Sequence, residues 1–154
     1  MRFHQKDTLH RFFGRLEARR IAINRFRADC GSCSEDIVNE VGRHCKLFYI
    51  RANRCSSIYD DIFALSGWKM EEINGIEYEL NSILVDKWKG KAYRLVIQRQ
   101  KRMDGVQDIW EGEYTYRCIL TNDYRSSVRE IVEFYNLRGG KERIFDDMNN
   151  GFGW

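Results

Sequence analysis

The hydrophobic period changes part-way along the chain, and that change constrains the fold more than any single motif. Up to about residue 65, helix and strand patterns alternate. DTLHRFFGRLEARR (7–20) repeats Leu9, Phe12, Phe13 and Leu16 at helical spacing, with Asp7 or Thr8 as the expected cap and Gly14 as a weak point. INRFRAD (23–29) reads as a short strand, and Ser34–Cys45 as a helix with Ile37, Val38 and Val41 on one face. KLFYIRAN (46–53) is apolar enough to be a buried strand, and SSIYDDIFAL (56–65) suits a third helix. This order predicts βαβ units on a mostly parallel sheet, entered by a helix where an earlier strand would be expected.

The texture then turns to β. IEYELNSILV (76–85), AYRLVIQRQ (92–100) and EYTYRCILT (113–121) are rich in β-branched and aromatic residues, with KWKGK and KRMDGV as turns. An antiparallel block is therefore set into an α/β frame. From Arg125 the helical period returns through Val128, Ile131, Val132 and Tyr135, and KERIFDDMNN (141–150) extends it.

At 154 residues, 43% hydrophobic and 14% aromatic, the chain suffices for one domain with a real core. A net charge of +3 permits nucleic acid without demanding it. No apolar run approaches the roughly 18–20 residues of a membrane helix, and MRFHQKDTLHRFF lacks the apolar centre of a signal peptide. These features predict a cytoplasmic protein with no membrane partner, whose five cysteines are reduced.

The stretch RADCGSCSED (27–36) offers two chemistries. Cys30 and Cys33 have the spacing of a redox dithiol at a helix start. Asp29, one residue earlier, is a carboxylate at a strand end, available to a metal. The dithiol reading meets an obstacle: thioredoxin-like folds set a cis-proline beside the thiols, and this chain has no proline. A zinc site from Cys30, Cys33, His44, Cys45 and Cys55 lacks the usual two tight ligand pairs. The simpler expectation is small buried thiols and a solvated histidine.

FYNLRGGKERIFDDMNN carries a second constellation. Residues seven apart on a helix lie about 20° apart, so Tyr135, Arg138 and Glu142 would share a face. Gly139 and Gly140 interrupt it and would let another backbone approach. Taken alone, this is also the pattern of an amphipathic helix with a surface Arg–Glu pair.

The spacing resembles the Y-x2-R-x3-E-x6-K signature of a large group of bacterial insertion-sequence transposases with a DDE triad. RFRADCGS resembles their R-x-D-[SG]-G segment, and YRCILTND followed by SSVREIVEFYNLRG resembles the core strand leading into their catalytic helix. The resemblance implies a partial RNase H-like catalytic core at 1–53, a β-rich insertion at 54–112, and the core strand and catalytic helix at 113–154. It implies that Asp29 and Glu142 are catalytic and hold metal, Mg²⁺ or Mn²⁺, with two ions in the intact enzyme. It implies that Tyr135, Arg138, Lys141 and Asn149 lie along DNA. Asn149 stands where the signature has lysine, and Lys141 or Arg143 is the nearest substitute. Transposon ends and target DNA are the implied partners, a homodimer is compatible with the intact enzyme, and the setting is the bacterial nucleoid.

The first aspartate of the triad has no match, so the resemblance describes a truncated catalytic fragment that holds metal weakly and does not cut DNA efficiently alone. The competing expectation is a non-catalytic DNA-binding remnant using Arg25, Arg27, Lys87, Lys89, Lys91, Arg99, Lys101 and Arg102. Trp68, Trp88, Trp110 and Trp154 could stack on bases, but such tryptophans more often pack in a core or at its edge, and packing is the default for the three in or near the β-insertion.

Overall fold

The strand residues alternate between two cores, and this alternation organises the molecule. The structure is a computed structural model, and it describes residues 2–28, 34–52, 56–88, 90–102 and 112–136. Its elements are α1 (Arg2–Ala18), β1 (Ile23–Ala28), α2 (Glu35–His44), β2 (Cys45–Ala52), α3 (Ser56–Phe63), β3 (Lys69–Ile73), β4 (Ile76–Trp88), β5 (Lys91–Lys101), β6 (Tyr114–Thr121) and α4 (Val128–Asn136). The strands form one six-stranded sheet in the order β1-β2-β6-β5-β4-β3.

Side chains on a strand point alternately to opposite faces. Phe48 and Ile50 of β2, Leu95 and Ile97 of β5, and Leu120 of β6 join Phe13 and Leu16 of α1, Ile37, Val38 and Val41 of α2, and Ile62 of α3. Tyr49, Val96 and Ile119, the intervening residues, join Ile131, Val132 and Tyr135 of α4. Thus α1, α2 and α3 cover one face of the sheet and α4 the other.

The α/β class holds, but the sheet is not mostly parallel. Among the described residues only β1 and β2 run parallel, joined through α2. The other four pairings are antiparallel. The β-rich stretch continues the same sheet, with β6 lying between β2 and β5.

Local boundaries follow identifiable signals. α1 starts at Arg2, so Asp7 and Thr8 lie inside it rather than capping it. Ser34 caps α2 with its hydroxyl, accepting from the Ile37 N–H at 3.4 Å. Glu35 and Asp36 open α2, and Arg43 and His44 close it, which complements the helix dipole. α4 begins at Val128, after Ser127 accepts from the Glu130 N–H at 3.1 Å, and not at Arg125. The sequence reading omitted β3, a short strand of mostly charged residues. It pairs with β4 across Asn74 and Gly75, both at positive φ (54° and 81°), as a tight hairpin turn requires. Among the described residues no helix is long and apolar enough to cross a membrane.

Candidate functional site

The end of β1 and the last turn of α4 are tied together twice. The buried Tyr135, 2% exposed, donates its hydroxyl proton to the Ala28 carbonyl at 2.9 Å. Arg27, equally buried, donates from Nη1 to the Phe134 carbonyl at 2.5 Å. Its guanidinium also lies 4.9 Å from the centre of the Phe134 ring, and that of Arg25 lies at the same distance. A guanidinium suits the carbonyls at a helix C-terminus, where the partial charge is negative. These bonds join residues 107 apart in sequence.

A second network fixes where α4 begins. Thr121 at the end of β6 donates to the Phe48 carbonyl at 2.6 Å, and Asn122 accepts from the Phe48 N–H at 2.9 Å. Asp123 is buried and accepts from the Tyr49 hydroxyl at 2.7 Å and from the N–H groups of Arg125 and Ser126 at 3.1 and 3.0 Å. Burial would raise its pKa, but these bonds, led by those from Ser126, outweigh it and hold the carboxyl at about 2. Arg94 reaches from β5 to the Ser126 carbonyl at 2.6 Å. Arg129 of α4 pairs with Glu71 of β3 at 2.6 Å. The orientation of α4 against the sheet is therefore held by polar contacts at its start and at its end.

Of the sequence-predicted site residues, Tyr135 lies within the described residues, in the core rather than on the surface. Asp29, Arg138, Lys141, Glu142 and Asn149 lie outside them. So do Cys30, Cys33, Cys55, Lys89, Trp110 and Trp154.

The basic residues do not form one class. Arg27 is buried, and Arg99 is packed between the rings of Trp68 and Tyr114, at 3.9 and 4.1 Å, with Glu79 at 2.9 Å. Trp88 packs edge-on against Tyr93. Lys91 and Lys101 are exposed, and Lys91 donates to Asn39 at 2.9 Å. Cys45 is a buried filler whose thiol is pushed up to about 12 by burial. His44 is not a solvated side chain: its ring stacks on Phe13 at 4.7 Å and both its nitrogens meet carboxylates.

The sequence reading missed Tyr49 and Asp123, whose signal was a polar T-N-D run closing an apolar strand. It also missed the spacing of Glu40 and His44, i and i+4 on one helix face.

A family model described as "Transposase DDE domain" matches residues 3–154. No curated protein and no solved structure matches the chain.

Proposed function

The chain belongs to the transposase DDE-domain family, and from that membership we propose that it forms part of an RNase H-like catalytic core acting on DNA. Residues 1–53 and 113–154 make the core, and 54–112 an insertion that extends its sheet. Asp29 and Glu142 supply carboxylates to one cation pocket. Arg138, Lys141 and Asn149 run along the DNA backbone. Tyr135 borders that region as a positioning residue, because its hydroxyl is engaged by the Ala28 carbonyl.

That hydrogen bond is the observation that supports the reading best. Ala28 directly precedes Asp29, and Tyr135 opens the Y-x2-R-x3-E spacing that ends at Glu142. The second tie, from Arg27 to Phe134, acts at the same junction. Carboxylate oxygens suit a hard divalent ion such as Mg²⁺ or Mn²⁺. When bound, a pair of such ions activates an attacking hydroxyl and stabilises the leaving oxygen at a phosphodiester. The chain's own residues hold the ions and orient the DNA; the planar donor fork of Arg138 suits a phosphate.

No residue here is assigned to the first aspartate of the triad. β1 lies at one edge of the sheet, where an added strand would bring that carboxylate beside Asp29. With two carboxylates of three, the pocket holds metal weakly and cuts poorly.

The test uses the full chain with labelled duplex DNA and Mg²⁺, an ion that imidazole holds poorly. DNA binding should fall steeply with salt, with little strand cleavage. Asp29→Asn and Glu142→Gln should each abolish Mg²⁺ binding and leave DNA binding intact. Efficient cleavage by the unaltered chain overturns the incomplete pocket. Mg²⁺ affinity unchanged in both variants overturns the site itself.

A further inference from the structure

On the opposite face of the sheet from α4, three metal-ligating side chains converge between α1 and α2. His10 Nδ1 lies 2.8 Å from Glu40 Oε1, and His44 Nε2 lies 3.1 Å from the same oxygen. The three ligand atoms all fall within 4.8 Å of one another. We propose that His10, Glu40 and His44 bind a zinc-type divalent transition ion that clamps α1 to α2, a site separate from the carboxylate pocket for Mg²⁺.

The donor set selects the ion. Two imidazole nitrogens and one carboxylate oxygen are a frequent zinc triad, with a fourth position left to water. Mg²⁺ and Ca²⁺ prefer all-oxygen surroundings. Zinc bonds of about 2.0–2.2 Å place tetrahedral ligands roughly 3.3–3.5 Å apart. The two short separations here fall a few tenths of an ångström below that range. His10 is 71% exposed, so its ring can move outward without disturbing the core.

The surroundings favour an ion over a simple ion pair. Glu17 contacts His44 Nδ1. A carboxylate there holds the proton on Nδ1 and turns the Nε2 lone pair toward Glu40 and His10, as second-layer carboxylates do at zinc histidines. Phe13 stacks on the His44 ring and fixes its plane. Glu40 is 2% exposed, and its second oxygen faces Arg43 at 3.5 Å, which leaves Oε1 for the ion. A buried carboxylate is costly unless its charge is compensated. Glu40 faces the Arg43 guanidinium and Glu17 contacts His44, so two carboxylates are at hand to balance a divalent charge. The helix spacing supports the same geometry: Glu40 and His44 are four apart on α2, and His10 and Glu17 seven apart on α1.

The experiment is equilibrium dialysis of the full chain against buffered Zn²⁺, with Co²⁺ as the spectroscopic probe. One equivalent of Zn²⁺ should bind and raise the thermal midpoint. Co²⁺ should give tetrahedral visible bands without thiolate charge transfer in the near ultraviolet. His10→Ala, at an exposed position that leaves the core intact, should weaken binding tenfold or more. Glu17→Gln should weaken it about tenfold through the His44 tautomer. A Cys30→Ser, Cys33→Ser double variant should bind as the unaltered chain does. Zinc binding unaffected by His10→Ala, thiolate bands with Co²⁺, or no binding at micromolar Zn²⁺ would each overturn the site.

Discussion

The hydroxyl of Tyr135, in the last turn of α4, donates to the carbonyl of Ala28, the last residue of β1, across 2.9 Å. The residue before Asp29 is thereby fixed by the residue that opens the Y-x2-R-x3-E motif. Sequence separation between the two is 107 residues, so only the folded sheet makes them neighbours. Local signals set each element, but this junction depends on α4 lying across the sheet face that carries Arg27 and Tyr49.

Tyr135→Phe keeps the ring in its apolar cluster and removes the donor. The Ala28 carbonyl then loses a buried partner, and the folding free energy should fall by about 1–2 kcal/mol. Urea unfolding with an unchanged slope and a lower midpoint is the expected result. An unmoved midpoint would show that the bond contributes nothing.

Arg27→Met retains most of the buried volume but removes the charged donor from the end of α4. We expect a loss of about 2–3 kcal/mol, in the range of hydrogen bonds to charged groups. Because Arg27 is buried, this variant should leave the salt slope of DNA binding unchanged. A slope reduced by about one would mean that Arg27 contacts phosphate in the bound state.

Asp123 gives the fold a defined acid limit. Its carboxyl is held at about 2 in the folded chain, against an ordinary value of 3.8. The unfolded chain therefore takes up a proton first as pH falls. The stabilisation is complete above about pH 4 and is lost as pH drops toward 2, roughly 2 kcal/mol in all. Asp123→Asn should flatten stability across that window and lower it at neutral pH. A variant that keeps the full pH dependence would assign it to other carboxylates.

Gly75 sits at φ +81° in the β3–β4 turn, where an L side chain is strained. Gly75→Ala should cost about 1 kcal/mol and fray β3, seen as faster amide exchange from Lys69 to Ile73. Unchanged exchange would show that Arg129 and Glu71 hold the strand without the turn.

Much of this architecture is legible in the sequence, and the misses have physical causes. Helical spacing in Ile37, Val38 and Val41, and in Ile131, Val132 and Tyr135, identifies buried faces, because those helices press one stripe on the sheet. The continuous apolar run Leu95-Val96-Ile97 in β5 marks a strand with both faces covered. β3 was missed because Lys69, Met70, Glu71 and Glu72 carry little apolar signal, although Asn74-Gly75 announces the hairpin. Strand direction was misread because a βαβ beginning predicts parallel neighbours, whereas β6 comes back antiparallel beside β2. The burial of Arg27 was illegible for a different reason. A guanidinium in an R-x-D segment looks the same whether it faces phosphate or a helix end, and only the packing of α4 decides. The likeness to a transposase catalytic segment rested on spacing, and the family match over residues 3–154 agrees with it.

The cation pocket is tested most directly by a crystal structure of the chain grown with Mn²⁺ and phased to reveal the ion. The account predicts a partially occupied anomalous peak bonded to carboxylate oxygens of both Asp29 and Glu142, just beyond the Tyr135–Ala28 hydrogen bond. A map in which those two side chains lie on opposite faces of the sheet, or in which Mn²⁺ sits on neither, would contradict it.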